Sequence, residues 1–140
     1  MSFREKTAWV ALVALILVSL MYWLHVPDPF EPHRHGWVLL ALGLSFGTFI
    51  LIELIAWVVF YLRNPREVRT PRDEREQIIA LKATRIGSWV FTSGTFLAIV
   101  LALHVVGAGP VALGMSVAIA FIVAQVTRQA AVIIYYRRGM

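Results

Sequence analysis

Four long apolar runs make up most of the chain, and the polar residues lie between them. The runs predict helices over residues 7–26, 36–62, 72–106 and 110–136 of a single domain that covers residues 1–140. Each run provides about 20 apolar residues, which is the length that a helix needs to cross the hydrocarbon core of a bilayer. The pattern therefore predicts an all-α fold, a four-helix transmembrane bundle.

The third helix is expected to begin before its apolar part. Thr70 followed by Pro71 is typical of a helix start, and charged residues continue as far as Arg85 before the apolar residues begin at Ile86. We therefore expect this helix to extend out of the bilayer into the cytoplasm.

Small residues recur at helical spacing on two of the helices. Gly43 and Gly47 form such a pair on the second helix. The corresponding stripe on the fourth helix consists of Ala112, Ser116, Ala120 and Ala124. Because small residues let membrane helices approach closely, both stripes are expected at contacts between helices.

The composition agrees with lipid as the surrounding solvent. Hydrophobic residues make up 59% of the chain and charged residues 15%, whereas soluble domains are about 25% charged. The absence of cysteine excludes disulfides, thiolate metal sites and cysteine nucleophiles. The net charge of +5 comes from cations at helix ends, not from a folded basic face, so direct binding of nucleic acid is not expected.

Lysine and arginine are distributed unequally between the two ends of the predicted helices. The N-terminus carries Arg4 and Lys6, the C-terminus carries Arg137 and Arg138, and residues 63–85 carry seven such cations, whereas the other two connections carry only Arg34. Positive residues are retained on the cytoplasmic side. We therefore expect a multi-pass protein of the cytoplasmic (inner) membrane with both termini in the cytoplasm.

Glu53 and Arg128 are the ionisable residues deep inside apolar runs. Each lies nine or ten residues before the cationic end of its helix, which places both at about 14 Å from the inner boundary at about 1.5 Å rise per residue. An unpaired charge at this depth costs at least about 3 kcal/mol, so we expect the two to form an intramembrane pair, with Gln125 and Gln129 completing its hydrogen bonds. A fixed structural ion pair is favoured over a proton or ion relay.

The histidines all fall at the opposite, outer ends of the helices. They are His25, His33, His35 and His104. Imidazoles gathered at one surface can bind Zn, Cu or haem, or sense pH. They can equally be polar residues of a short solvated connection, and this simpler interpretation is favoured.

Motifs of catalysis are absent from the sequence. There is no glycine-rich phosphate loop, no zinc-protease helix and no nucleophile elbow. The sequence therefore predicts a protein that is not an enzyme and has no cofactor.

Two motifs occupy the second half of the chain. Asp73-Glu74-Arg75-Glu76 is followed by Lys82-Ala83, Arg85-Ile86 and Val90-Phe91, and the end reads Tyr135-Tyr136-Arg137-Arg138-Gly139. These motifs resemble those of a domain-of-unknown-function family of bacterial and archaeal integral membrane proteins, over residues 72 to 139. The resemblance implies four helices, no assigned biochemical activity and frequent gene neighbourhood with a helix-turn-helix regulator. The family carries an acidic residue near the position of Gln125, where this chain has an amide.

The motif residues carry complementary charges at one end of the predicted bundle. The cytoplasmic motif consists of Asp73, Glu74, Arg75, Lys82, Arg85, Arg137 and Arg138. Carboxylates at one helix start and guanidinium groups at a neighbouring helix end are placed to pair bidentately and to lock the cytoplasmic face. Exposed surface pairs worth at most about 1 kcal/mol are the alternative.

Three functions are compatible with these features. The preferred one is a non-enzymatic regulatory or interaction protein, whose residues 63–85 and Arg137-Arg138 bind a cytoplasmic partner, such as a transcriptional regulator, or anionic lipid headgroups. The second is a small transporter or channel subunit, expected as a homo-oligomer in the lipid bilayer, that uses Glu53 and Arg128. The third is an outer-face metal or haem site built on the four histidines.

Overall fold

Four helices form the part of the chain that the structure describes. A computed structural model describes residues 3–25, 35–63, 65, 73–104 and 110–138. The helices are α1 (Phe3–His25), α2 (His35–Arg63), α3 (Glu74–His104) and α4 (Pro110–Arg137). Each of them is long and apolar enough to span a membrane. The predicted all-α, four-helix architecture of a multi-pass membrane protein is thereby confirmed.

The start of α1 differs from the prediction. Helix α1 includes the charged turn from Phe3 onward, whereas the predicted start was residue 7. The expected start of the third helix at Thr70 and Pro71 lies outside the described residues. The described part of α3 begins at Glu74, and Asp73 caps it: the Asp73 carboxylate accepts the Glu74 N–H at 2.8 Å, and its carbonyl accepts the Gln77 N–H at 3.0 Å.

Helices α1 and α4 form the centre of the bundle. Helix α1 packs against α2 and α4, and α3 packs against α4. At the end where α1 finishes, Tyr22, Val38 and Met115 form a buried cluster. The Tyr22 hydroxyl donates to the Met115 sulfur at 3.3 Å. This contact ties α1 to α4 at one end of the bundle.

Helices α3 and α4 approach closely at two glycines of α3. A Cβ atom on Gly87 would lie 3.0 Å from Arg128 Cβ, and one on Gly94 would lie 3.1 Å from Ala120 Cβ. The part of the α4 stripe formed by Ala120 and Ala124 therefore lies at a helix contact, as predicted. The stripe of α2 does not, because a Cβ on Gly43 or Gly47 would meet no atom within 4 Å.

Candidate functional site

Each of the four helices contributes one charged side chain to a single cavity at the end of the bundle where α1 begins. The cavity has a volume of about 200 Å³. Its charged lining residues are Arg4 from α1, Glu53 from α2, Glu76 from α3 and Arg128 from α4. We call this cavity, with its two carboxylates and two guanidinium groups, the four-charge cavity.

Two of these charges neutralise each other directly. The Arg4 Nε atom lies 3.0 Å from Glu76 Oε2, and the two side chains are 24% and 22% exposed. This distance is that of a charge-assisted hydrogen bond. The pair joins the first turn of α1 to the start of α3 and forms one wall of the four-charge cavity.

The other two charges, Glu53 and Arg128, do not form the ion pair that their equal depth predicts. Glu53 Oε1 is buried and has no hydrogen-bond partner. Arg128 Nη1 donates a long hydrogen bond of 3.5 Å to Gln125 Oε1, and neither residue is in an ion pair within the described ranges. Glu53 and Arg128 stay apart because their helices, α2 and α4, both pack on α1. The four-charge cavity lies between the two side chains.

The two predicted amides have separate positions. Gln129 lines the four-charge cavity, together with Tyr136 about two turns further along α4. Gln125 contacts Arg128 but does not line this cavity. The sequence predicts both amides near Arg128. In the structure, Gln129 lines the four-charge cavity and Gln125 does not.

The side chain of Arg128 is held in place by the backbone of α3. Gly87 lies against it so closely that an added Cβ would be 3.0 Å from Arg128 Cβ, 3.6 Å from its Cδ and 3.3 Å from the Ala124 carbonyl oxygen. The aliphatic part of the Arg128 side chain packs directly on the backbone of α3 at Gly87, where a residue with a Cβ would not fit. Glycine is the residue that allows this contact.

A second cavity reaches Glu53 from the other side of α1. It measures about 300 Å³, lies between α1 and α2, and shares Arg4, Thr7 and Glu53 with the four-charge cavity. Phe3 also lines this second cavity. Its ring contacts the Phe60 ring edge to face, with the ring centroids 5.6 Å apart. Glu53 therefore borders two cavities, and Arg4 lines both.

The cytoplasmic motif pairs differently from the prediction. Arg137 lies 3.8 Å from Glu5 of α1 and over the Trp9 ring, at 5.4 Å from its centroid. Glu76 pairs with Arg4 instead of with Arg137. No carboxylate of the start of α3 pairs with Arg137 or Arg138 in the described ranges, because the first turn of α1 lies between the two helix ends.

The remaining residues of the cytoplasmic motif lie on the surface. Exposed side chains among them are those of Asp73, Glu74, Arg75, Lys82, Arg85 and Arg138. They do not contribute to the four-charge cavity. The motif therefore marks a charged surface, and its neighbour Glu76 is the residue that reaches inward.

Sequence reasoning missed Arg4 and Glu76 as members of the site. Arg4 was expected only as a cytoplasmic flank, and Glu76 only as part of a motif. The signal that could have found them is the opposite charge of two residues at the same predicted end of the bundle. That signal does not say which of several acids and bases meet.

The candidate metal ligands are resolved in part. His25 Nδ1 donates to the Met21 carbonyl at 2.8 Å, and His104 Nδ1 donates to the Val100 carbonyl at 2.7 Å, so Nε2 is the nitrogen of each ring that can bind a ligand. His33 and the side chain of His35 lie outside the described part. Within that part, no three potential ligands come together, and the metal or haem hypothesis stays a prediction.

Comparison with known proteins adds no family. No family model, no curated protein and no solved structure matches this chain. The likeness of its second half to the integral membrane family stays a resemblance, and the function has to be inferred from the geometry of the chain itself.

Proposed function

We propose that the chain is a non-enzymatic protein of the cytoplasmic membrane that binds a small dipolar solute in the four-charge cavity and acts as a transporter or channel subunit. The observation that carries this proposal is the arrangement of Glu53 and Arg128. They line one cavity without pairing, and a carboxylate oxygen of Glu53 is buried without a partner.

The charge balance of the cavity favours a dipolar solute. Arg4 and Glu76 compensate each other at 3.0 Å, which leaves one carboxylate and one guanidinium group for a ligand. An ammonium group would be bound by Glu53, and a carboxylate or phosphate group by Arg128. A solute with a single charge would leave one of these partly buried groups without compensation, which is costly in a low-dielectric site.

The volume of the cavity is compatible with such a ligand. About 200 Å³ corresponds to about seven water molecules at roughly 30 Å³ each. The lining includes further polar groups on Thr7, Gln129 and Tyr136. These side chains can donate and accept hydrogen bonds along a small polar molecule.

The positive-inside rule supports a cytoplasmic location for this end of the bundle. Because the chain has no cysteine, a single engineered thiol reports its own side of the membrane. We expect a membrane-impermeant maleimide to label Arg138→Cys only after the cytoplasmic side is exposed, and to label His104→Cys from outside intact cells. Labelling of Arg138→Cys from outside would reverse the orientation.

Binding of a dipolar probe tests the proposed function. We expect saturable binding of glycerophosphoethanolamine, which carries one ammonium and one phosphate charge, to the purified protein in detergent. Losing a charged hydrogen bond costs about 1.5 to 3 kcal/mol, so Glu53→Gln and Arg128→Gln should each weaken binding by about tenfold to hundredfold. Isothermal titration measures both constants.

Matched variants separate site chemistry from overall charge. Glu74→Gln removes an exposed carboxylate, and Lys82→Gln removes an exposed cation, at the same end of the protein. Both should bind the probe as the parent does. Equal losses in all four variants, or binding that ignores Glu53 and Arg128, would contradict the proposal.

A second function is supported by the exposed cations at the same end. Arg63, Lys82, Arg85 and Arg138 all have exposed side chains, and cations at this position attract anionic headgroups or an acidic protein surface. This observation favours a regulatory or interaction protein with a cytoplasmic partner. Arg137 contributes less to such a surface, because Glu5 and Trp9 already contact it.

A further inference from the structure

An apolar cavity lies next to the four-charge cavity, along three of the four helices that line the four-charge cavity. It measures about 420 Å³ and is lined by residues of α1, α2 and α4. Its aromatic lining residues are Tyr22, Trp23, Phe46, Phe49 and Phe121. With Gln125 at one end and Tyr22 at the other, this cavity runs from the middle of the bundle toward the end where α1 finishes.

The linings of the two cavities lie about one helical turn apart on every helix that lines both of them. On α1 the lining changes from Ala11 to Leu15, on α2 from Glu53 to Ile50, and on α4 from Arg128 to Gln125. Three or four residues correspond to about 5 to 6 Å along a helix. The cavities are therefore stacked end to end along the bundle.

A hydrogen bond connects the two volumes. Arg128 lines the polar one, Gln125 lines the apolar one, and the bond between them is long at 3.5 Å. A stronger anionic acceptor can replace the amide oxygen as the partner of the guanidinium group. The boundary between the cavities thus consists of side chains that a ligand can rearrange without breaking a strong contact.

We propose that the ligand of this protein is a zwitterionic lipid with a single acyl chain, its headgroup held between Glu53 and Arg128 and its chain in the apolar cavity. This inference rests on the proposed function and specifies its substrate class. The balanced charges of the head compartment select against anionic and cationic lipids. Most of the residues that line the apolar cavity are aromatic or aliphatic, which suits an alkyl chain better than a polar one.

The specificity of such a site comes from the headgroup. A chain that moves from the bilayer into an apolar cavity leaves one hydrocarbon environment for another, so it gains little from the hydrophobic effect. It gains contacts in a volume that is otherwise not filled by protein atoms. The headgroup gains two charge-assisted contacts. The acyl chain is what brings a headgroup to this depth of the bilayer.

Native mass spectrometry of the full chain in detergent tests this inference with four probes. They are lysophosphatidylethanolamine, the head-only glycerophosphoethanolamine, the anionic lysophosphatidylglycerol and the uncharged monoacylglycerol of the same chain length. We expect lysophosphatidylethanolamine to be retained best, with about tenfold or greater loss in Glu53→Gln and in Arg128→Gln.

Substitutions that fill the apolar cavity test the position of the chain. Ala118→Phe and Ser45→Phe add a ring to its wall from α4 and α2, and either one suffices if the other fails to fold. Both should reduce retention of lysophosphatidylethanolamine about tenfold and leave binding of glycerophosphoethanolamine unchanged. The control Val123→Phe adds the same ring at an exposed position of α4 and should have no effect.

Any other result of these binding experiments overturns a specific part of the proposal. Equal binding of the head-only probe and lysophosphatidylethanolamine, insensitive to Ala118→Phe and Ser45→Phe, removes the acyl chain but leaves the proposed function. Preference for lysophosphatidylglycerol removes the zwitterionic headgroup. Equal retention of monoacylglycerol, insensitive to Glu53→Gln and Arg128→Gln, overturns this inference and the proposed function together.

Discussion

Replacing Gly87 with leucine should destabilise the protein more than any other single glycine substitution within its described helices. A Cβ at this position would lie 3.0 Å from Arg128 Cβ and 3.3 Å from the Ala124 carbonyl oxygen, and the rest of a leucine side chain has no space between α3 and α4. Overpacking of this kind costs about 1 to 3 kcal/mol. The free energy of unfolding, measured by denaturation in mixed detergent micelles, should fall by about this amount.

Gly43→Leu is the matched control because a Cβ there meets no atom within 4 Å. Both substitutions bring the same gain in helix propensity, so their difference isolates the contact between α3 and α4. Gly87→Leu should also weaken binding of the dipolar probe, since it displaces the stem of Arg128. Equal stability of the two variants would mean that α3 and α4 are not in close contact at Gly87.

Reversing the charge of Arg4 should have the second large effect. Arg4→Glu would replace the partner of Glu76 with a like charge, in a cavity that also contains Glu53. Breaking a fully buried ion pair costs about 3 to 5 kcal/mol, and because these side chains are partly exposed we expect about 2 to 3 kcal/mol. The same denaturation experiment measures the loss.

The exchange variant makes this prediction specific. In Arg4→Glu/Glu76→Arg the two charges are restored in opposite places, and most of the lost stability should return. Arg138→Glu provides the control, because it reverses an exposed cation at the same end and surface charges contribute at most about 1 kcal/mol. No recovery in the exchange variant would show that Arg4 acts through something other than its contact with Glu76.

The helices could be predicted from the sequence because lipid imposes a simple rule. Each span must satisfy its own backbone hydrogen bonds over about 20 apolar residues, so the apolar runs and the charges at their ends locate α2 and α4 closely. The start of α1 at Phe3 was missed. Its charged first turn is helical because Arg4 and Glu5 find partners on other helices, and such partners are not visible in hydropathy.

The site could be predicted only as a depth, not as a geometry. Counting residues places Glu53 and Arg128 at the same level, and both do line one cavity. Whether they touch depends on which helices are neighbours, and α1 packs between α2 and α4. Hydropathy measures how apolar each run is, and it contains no information about which runs are neighbours.

The exposed stripe of α2 illustrates the same limit. Gly43 and Gly47 have the spacing of a helix contact, as does the stripe of α4 that includes Ala120 and Ala124. Within the described residues, only the α4 stripe meets another helix. Spacing predicts that a backbone can be approached, whereas the identity of the approaching helix is decided by the whole bundle.

The first turn of α1 has a consequence for biosynthesis. In this turn Arg4 pairs with Glu76, and Glu5 pairs with Arg137. The ribosome adds Glu76 and Arg137 much later than it adds α1. A nascent chain that has inserted only its first two helices therefore holds an acid and a base at the membrane surface with these counterions still unmade. The contacts of this first turn are therefore completed only after translation has passed residue 137.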